Sequence, residues 1–411
     1  MRSYKVRDLL RIRNGKDHKA LKPGKIPVYG SGGLMRYVDK YLYDQESILL
    51  PRKGTLSNIQ WVNEPFWTVD TIYYTEINTT LVDGYYLFCY LINLDLSKLN
   101  SGTGVPSMTF EAYYDIEVKL PELSIQKKVS NYLKSIKEKI ELNNHINSEL
   151  EAMAKTIYDY WFVQFDFPDK NGKPYKSSGG KMVWNEELKR EVPEGWDDGE
   201  LKDIANITMG QSPPGESYNE NGIGEVFYQG CTDFGLRFPS VRQFTTEPSR
   251  FAKKGDILLS VRAPVGTMNI ALNKCCIGRG LAALNSKNKC TPYLYEVLKN
   301  LKQVFDRRNT DGTTFGAITK DDLFSLKVVI PTVEILNSFS EILNPVFEKQ
   351  NIIALENQQL ASLRDWLLPM LMNGQVKVGK NSTAKAYAQT QDEELSMAAE
   401  DGAEYKTKKK S

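Results

Sequence analysis

The sequence predicts an α/β protein (mixed α and β structure) that is written as an internal repeat. Each copy is a globular module followed by a long helix, and the two helices are expected to form an antiparallel coiled coil with a pseudo-two-fold axis. Three observations favour this fold class. Short blocks recur in both halves, with Gly15 repeated at Gly210 and Ile48 at Ile257. A heptad pattern ends each half, and short β-prone runs between Gly and Pro turns fill the rest.

The sequence offset between the two copies distinguishes the predicted helices from the modules. The offset is 195 residues at Gly15, 209 at Ile48 and 210 from Gly102 onwards. Surface loops tolerate insertions, whereas one residue inserted into a helix rotates every later side chain by about 100°. The region of constant offset is therefore predicted to be helical, and the region of variable offset to contain the loops.

The modules are predicted to mix strands and short helices. Ile72-Tyr73-Tyr74-Thr75 and Val328-Val329-Ile330 are typical of strands, while residues 85–91 and 292–298 are typical of short helices. The predicted domains are module 1 at 1–120, helix 1 at 121–160, a linker at 161–195, module 2 at 196–330, helix 2 at 331–374 and a polar, disordered tail at 375–411.

The helices are predicted from seam residues spaced alternately by four and three, which is a heptad pattern. Pro121 and Pro331 precede the two helices, and Asn373-Gly374 follows the second. Helix 1 spans Ile125 to Ile157, roughly 50 Å at about 1.5 Å per residue. The seam residues predicted to pair the helices or to meet a partner are Val129, Leu133, Ile136, Ile140, Asn143, Asn147 and Leu150 in the first helix and Phe339, Leu343, Val346, Ile353, Asn357 and Leu360 in the second.

Polar residues interrupt the seam. Asn143, Asn147 and Asn357 cost stability in such a position but can fix the register of the helices. The alternative is that they lie near a solvated helix end. Because Asn147 and Asn357 are equivalent in the repeat, the register role is favoured.

Composition excludes several classes of protein. Hydrophobic residues make up 41% and charged residues 25% of the chain, and the net charge is +2, unlike a protein that coats DNA non-specifically. The sequence has no apolar run of membrane-spanning length, no signal peptide, no CxxC pair and no Walker A motif. Two histidines leave little room for a His-based triad or metal site. We expect a cytoplasmic protein without metal, cofactor, catalytic residue or membrane association.

Three loop regions recur in both modules and combine Gly-rich backbone with hydroxyl, amide and basic side chains. Such groups suit close approach to phosphates and hydrogen bonds to base edges. The alternative for each loop alone is a plain turn or a solvated surface, but their recurrence favours a shared role. The predicted DNA-binding residues are Tyr29, Ser31, Arg52, Lys53, Thr55, Asn58, Thr103 and Ser107 in module 1 and Tyr228, Gln229, Thr232, Arg262, Thr267, Asn269, Thr313 and Thr314 in module 2.

The order of features resembles that of type I restriction–modification specificity (S) subunits. The resemblance covers residues 1 to about 378 and rests on the module–helix duplication. It also rests on three short segments: the aromatic run from Tyr160 to Pro168, Pro193-Glu194-Gly195-Trp196 and Met372-Asn373-Gly374.

This resemblance implies two target-recognition domains that each read half of a bipartite double-stranded DNA site, and helices that set the spacing. It implies two methyltransferase subunits docked along the helices, which modify adenine N6, and restriction subunits that translocate and cleave. S-adenosylmethionine, ATP and magnesium would then bind the partners, not this chain. Since the loop side chains of the two modules differ, we expect an asymmetric target. The alternatives are a protein-interaction scaffold that does not bind DNA and a stand-alone nuclease.

Overall fold

The computed structural model of this protein describes residues 1–96, 106–302, 305 and 317–376. The chain divides into two compact units. Unit 1 contains Met1–Lys139 with Leu360–Ser411, and unit 2 contains Ile140–Gln359. Each unit therefore holds one module and part of both long helices, so the compact units do not follow the linear boundaries expected from the sequence.

The elements begin with a module 1 made mostly of short strands. In chain order they are β1 (Arg2–Lys5), α1 (Val6–Leu9), β2 (Leu10–Asn14), β3 (Ile26–Gly30), β4 (Gly33–Val38), β5 (Ser47–Pro51), β6 (Gln60–Val62), β7 (Trp67–Thr68), β8 (Ile72–Ile77), α2 (Gly84–Ile92), α3 (Phe110–Tyr114), β9 (Glu117–Leu120) and the long helix α4 (Leu123–Tyr158).

Module 2 repeats this order with additional strands. Its elements are β10 (Met182–Asn185), β11 (Arg190–Pro193), β12 (Asp197–Glu200), α5 (Leu201–Ile204), β13 (Ala205–Met209), β14 (Tyr218–Asn219), β15 (Glu225–Tyr228), β16 (Gln243–Thr245), β17 (Phe251–Ala252), β18 (Ile257–Ser260), β19 (Met268–Ile270), β20 (Cys275–Ile277), β21 (Leu281–Ser286), α6 (Thr291–Asn300), α7 (Lys320–Phe324), β22 (Lys327–Ile330) and the long helix α8 (Val333–Met372).

The sheets confirm the internal repeat. The four-stranded sheet has the order β2-β8-β5-β6 in module 1 and β13-β21-β18-β19 in module 2. The pair β1-β9 corresponds to β12-β22. The smaller sheet, β4-β3-β7, corresponds to the centre of β14-β16-β15-β20-β17, and both contain one parallel pair, β3 with β7 and β15 with β20.

Close backbone contacts explain why both copies of the first repeated block contain a glycine, Gly15 in module 1 and Gly210 in module 2. A Cβ atom at Gly15 would lie 2.0 Å from the carbonyl oxygen of Val69, and one at Gly210 would lie 2.1 Å from that of Gly278. These distances are far below van der Waals contact, so each module needs glycine where the β2 or β13 strand ends against the neighbouring turn.

The core of unit 1 joins the module to the two long helices. Val129 and Leu133 of α4 are buried in one cluster with Leu367 and Leu371 of α8 and with the module's own apolar residues. The seam predicted in the first helix is thus observed in this unit. Helix α8 ends at Met372, and Gly374 follows with a φ of +70°, as the Asn373-Gly374 stop signal predicts.

The core of unit 2 is rich in aromatic residues. The segment after α4 buries Trp161 and Phe162 beside Phe339 of α8. Further along the same helices, Asn143 donates a hydrogen bond to Asn357 at 2.9 Å. Within unit 2 the helix segments therefore run antiparallel, as predicted. No helix in the described part of the chain is long and apolar enough to cross a membrane.

Candidate nucleic-acid interface

Unit 1 brings the predicted loops together where strand β5 ends. The amide of Arg52 donates to the carbonyl of Thr71 at 2.9 Å, and the carbonyl of Arg52 accepts from Met108 at 3.0 Å. The next residue, Lys53, forms an antiparallel bridge with Ser107. We call this surface the β5 edge and define it as residues 29–31, 52–58, 70–71 and 106–107.

Amide side chains attach the first Gly-rich loop to the β5 edge. Asn58 Nδ2 donates to the carbonyl of Ser31 at 2.7 Å, and Gln60 Nε2 donates to that of Gly30 at 3.1 Å. The backbone amide of Ser31 in turn donates to Thr71 Oγ1 at 3.3 Å. The three loops are thus held as one surface, and the donor group of Asn58 is used inside the module.

The side chains of the β5 edge differ in how accessible they are. Lys53 and Thr55 are exposed. Arg52 is half-buried, lies over the ring of Tyr73 at 6.0 Å and donates to the carbonyl of Asp70 at 3.4 Å. Tyr29 packs against the buried Phe66 cluster, and burial raises the pKa of its hydroxyl. Among the predicted DNA-binding residues of the β5 edge, Lys53 and Thr55 are therefore the most accessible.

Unit 2 contains the same backbone arrangement, which corrects one pairing inferred from sequence. The amide of Val261 donates to Gly280 at 2.9 Å, its carbonyl accepts from Ile318 at 2.9 Å, and Arg262 bridges to Ala317. Val261 therefore occupies the place of Arg52, and Arg262 is the equivalent of Lys53. Matching the sequence blocks Ser47–Arg52 and Asp256–Arg262 by their basic residues pairs Arg52 with Arg262, and this match is one residue out of register.

We call the corresponding surface of unit 2 the β18 edge and define it as residues 212, 228–229, 261–262, 278–280 and 317. Ser212 Oγ donates to the side-chain Oε1 of Gln229 at 3.0 Å. It accepts from the backbone amide and from Nε of Arg279 at 3.2 and 3.3 Å. Gln229, Arg262 and Arg279 are exposed. An amide and two guanidinium groups are thus presented on one surface.

Ser212 and Arg279 were missed by sequence reasoning. The available signal was the run Gly278-Arg279-Gly280. A Cβ atom at Gly278 would lie 2.6 Å from Gln229 Oε1, and one at Gly280 would lie 2.7 Å from the Gln229 carbonyl. Both glycines are required because the Gln229 loop packs directly on this turn.

Two predicted contacts in module 2 have structural roles. Asn269 is 2% exposed, accepts from Gly235 N at 3.0 Å and donates to Gly235 O at 2.9 Å. Tyr228 is 4% exposed, and burial raises the pKa of its hydroxyl. Both side chains are enclosed by the module, so they are not presented on its surface, and their contact with DNA stays a prediction. The register places Gln60, and not Asn58, at the position of Asn269.

The remaining predicted loop residues are exposed, half-buried or outside the described residues. Thr232 and Thr267 are exposed, while Ser31 and Ser107 are half-buried. Their contact with DNA stays a prediction. The predicted residues that lie outside the described residues are Thr103, Thr313 and Thr314.

The helical seam contains a polar layer in unit 2. Asn143 is buried and donates to Glu356 at 2.7 Å as well as to Asn357. Asn357 in turn donates to Asn144 at 2.8 Å. These bonds occur at one level of the helix pair, as a register role requires. The seam residues are either buried or half-buried: Val129, Leu133, Ile136, Ile140, Asn143, Asn147, Leu150, Phe339, Leu343, Val346, Ile353, Asn357 and Leu360.

The described ranges contain no group of three or more His, Cys, Asp or Glu side chains placed to hold a metal ion. What the two edges offer chemically is hydrogen bonding and charge: hydroxyl groups, amides, a lysine, arginines and, in module 1, the carboxylate of Asp70. These are the groups that proteins use on phosphates and base edges.

Comparison with known proteins identifies the repeat. A family model described as the type I restriction modification DNA specificity domain matches residues 1–152 and 193–364. The two matches correspond to the two copies of the module and helix.

Individual relatives agree with this match. The MjaIX type I restriction enzyme specificity subunit of Methanocaldococcus jannaschii is 26% identical over 72% of this chain and 68% of its own length. A protein assigned to the MjaX enzyme of the same organism as a specificity subunit is 32% identical over 64% of this chain, and the match spans only 60% of that relative. The crystal structure of a type I restriction–modification S subunit from M. genitalium superposes with a TM-score of 0.61 at 17% identity, covering 90% of this chain and 95% of the other, and so shares the fold.

Proposed function

Because this chain belongs to the type I restriction modification DNA specificity family, we propose that it is the DNA-reading subunit of a type I restriction–modification enzyme. In this proposal each module binds one half of a bipartite double-stranded target. The observation that carries it is the repeated edge, at which equivalent backbone bonds present Lys53 in one module and Arg262 in the other.

The two edges favour different half-sites. The turn at Val69–Thr71 is equivalent to that at Gly278–Gly280, because Val69 and Gly278 donate to the carbonyls of Tyr29 and Tyr228. The exposed residue within this turn is Asp70 in module 1 and Arg279 in module 2. A carboxylate and a guanidinium make opposite demands on a base edge or phosphate, so the proposed target is asymmetric.

The proposed role of the helices is to set the spacing between half-sites and to dock two methyltransferase subunits. Large apolar side chains remain exposed on the helices: Leu142 and Ile352 among the residues of unit 2, and Leu363 and Trp366 among those of unit 1. Exposed apolar residues grouped on a helix are typical of protein contacts. The same observation would suit the alternative, a protein-interaction scaffold that does not bind DNA.

We also propose that the chain has no catalytic activity of its own and acts in the cytoplasm. Adenine N6 methylation would be carried out by the methyltransferase subunits with S-adenosylmethionine. Translocation and cleavage would be carried out by restriction subunits with ATP and magnesium.

The first experiment separates DNA reading from a scaffold role. Methylome sequencing of the host supplies the methylated motif, and the chain is purified together with its methyltransferase partner. Electrophoretic shifts then compare a target duplex with a shuffled duplex at one fixed salt concentration, because affinity for DNA depends steeply on salt. Preference for the target supports the proposal, while equal or absent binding to both duplexes contradicts it.

The second experiment tests the two edges with equivalent variants. Lys53→Ala and Arg262→Ala should each weaken binding, by about 1–3 kcal/mol if the side chain contacts a base and with a salt slope reduced by about 1 if it contacts a phosphate. Lys189→Ala, at an exposed lysine in the β10–β11 turn, is the matched control and should bind like the wild type. Wild-type binding by both edge variants would show that the β5 and β18 edges do not face DNA.

A further inference from the structure

The largest difference between the two modules is an inserted loop in module 2. Strands β3 and β4 are joined by two residues, 31–32, whereas the equivalent strands β15 and β16 are joined by fourteen, 229–242. This connection begins at Gln229 of the β18 edge. We call residues 233–242 the inserted loop. Because the strands on either side correspond, this loop is an addition to a shared framework.

An ion pair between Arg242 and Asp233 joins the two ends of the inserted loop. Arg242 donates through Nε to Asp233 Oδ1 at 2.8 Å and through its terminal nitrogen to Asp233 Oδ2 at 3.3 Å. The amide of Ser240 also donates to the carbonyl of Asp233 at 2.8 Å. Paired bonds between a guanidinium and a carboxylate fix direction as well as distance, so the two ends of the loop are held together.

The middle of the loop is fastened to strand β19. Asn269 makes hydrogen bonds to both the amide and the carbonyl of Gly235. The amide of Ile270 donates to the carbonyl of Arg237 at 2.8 Å. This strand begins at Met268, directly after the exposed Thr267. The loop therefore lies beside a residue already predicted to meet DNA.

A buried arginine fastens the other side of the loop to helix α8. Arg237 is 5% exposed, lies 4.9 Å from the ring centre of Phe347 and donates through Nε to Asn351 Oδ1 at 2.6 Å. Removal from water lowers the pKa of its guanidinium. Neither terminal nitrogen has a hydrogen-bond partner among the described residues. Burying these terminal nitrogens without hydrogen bonds costs stability, and the contacts with Asn351 and Phe347 fix the loop in one position against α8.

These contacts leave Leu236 on the outside. Between the clamped Gly235 and the buried Arg237, its side chain is 84% exposed, more than any other large apolar side chain in the described ranges. A single exposed leucine is ordinary on a protein surface. Here, however, it is the exposed apolar side chain of a loop that is fixed at Asp233, Gly235 and Arg237 and that is present in only one module.

We propose that Leu236 is a specificity-determining residue of module 2 that contacts the C5-methyl group of a thymine in the major groove. The proposal rests on the proposed function. The hydroxyl, amide and arginine groups of the β18 edge suit phosphates and purine edges, but they do not recognise a methyl group. The thymine methyl is the one apolar feature of the base-pair edges in the major groove, and apolar side chains are what proteins place against it.

The test removes the methyl group from the DNA and the side chain from the protein. Target duplexes are prepared in which one thymine at a time, on either strand, is replaced by deoxyuridine. The chain with its methyltransferase partner is titrated with each duplex, as wild type and as Leu236→Ala. The matched control is Leu34→Ala, an exposed leucine that follows the short β3–β4 connection of module 1.

At one thymine, wild type and Leu34→Ala should bind the uracil duplex about fourfold more weakly, the factor that corresponds to ~0.8 kcal/mol for one buried methyl group. Leu236→Ala should bind thymine and uracil duplexes equally. The proposal would be overturned if Leu236→Ala still bound the thymine duplex more tightly, that is, if the substitution weakened binding of the thymine and uracil duplexes by the same factor. A target without thymine in either half-site would overturn it as well. If the wild type did not prefer its target over a shuffled duplex at all, the proposed function itself would have failed.

Discussion

Glu296 is expected to make the stability of unit 2 depend on pH. Its side chain lies on α6, is 2% exposed, and burial raises its pKa to about 7. Lys299, whose Nζ lies 3.8 Å away, and Lys155 favour the ionised form, while Glu151 and Asp159 oppose it. The burial of the carboxylate outweighs the lysines, so the folded protein retains a proton that the unfolded chain releases near its ordinary pKa of 4.5.

The sign and size of the effect follow from this difference in proton binding. Between pH 4.5 and about 7 the folded state binds more protons than the unfolded state, so stability falls as the pH rises and stays low above 7. A pKa raised from 4.5 to about 7 corresponds to about 3 kcal/mol at most, at about 1.4 kcal/mol per pKa unit. Glu296→Gln keeps the shape but cannot ionise. It should stabilise unit 2 by about 1–3 kcal/mol at pH 8 and by much less at pH 5.

The assay is urea unfolding of the full chain at pH 5 and pH 8, followed by hydrogen exchange in α6. This readout reports on unit 2 alone, which matters because a chain with two units need not unfold in one step. Glu341→Gln, at an exposed position of α8 in unit 2, is the control and should give no pH-dependent gain. An equal effect of Glu296→Gln at both pH values, or none at pH 8, would refute the reasoning by showing that Lys299 already compensates the buried charge.

The remaining predictions concern the repeated framework and the helices. Asn269→Ala should destabilise unit 2 by about 1–3 kcal/mol, because it leaves a buried backbone amide and carbonyl unpaired, and hydrogen exchange should rise within the inserted loop. Gly15→Ala and Gly210→Ala should each destabilise only their own module, since the added Cβ would lie about 2 Å from a carbonyl oxygen, and differential unfolding of the two units checks this. Deleting seven residues from each long helix should shorten the preferred gap between half-sites by about three base pairs, from about 1.5 Å per helical residue and 3.4 Å per base pair; an unchanged gap in methylation assays would contradict the proposed spacing role.

The repeat and the helices could be predicted because their signals are local and periodic. The heptad seam predicted both long helices, and the buried apolar residues Val129, Leu133 and Ile136 of α4 follow its spacing. The strands at Ile72 and Val328 were also located correctly. The end of the second helix could be predicted because the positive φ of Gly374 favours glycine, which is visible in the sequence.

The candidate interface was less predictable, because exposure depends on which strand neighbours which. Asn269 and Asn58 are both polar residues near a strand, yet the register buries the first and leaves the second half-exposed. Arg279 lies far along the chain from Gln229, and only the parallel pairing of β15 with β20 brings their turns together. A one-residue error in aligning the repeat was enough to match Arg262 with Arg52 in place of Lys53, because both alignments join basic residues.

The correspondence between the modules also explains where they are free to differ. Gln60 and Asn269 occupy the same register position. The amide of Gln60 holds Gly30 at the end of β3, whereas that of Asn269 holds Gly235 in the middle of the inserted loop. The side-chain amide contact is retained in both modules. The connection that it contacts has changed from a two-residue turn at 31–32 to the inserted loop that presents Leu236. Shared clamps with different loops allow one framework to carry two recognition surfaces. On this reasoning, transplanting residues 229–242 between Gly30 and Gly33 should alter the half-site read by module 1 while Gln60 still holds its base, and a transplant that bound the original target unchanged would show that specificity is carried elsewhere.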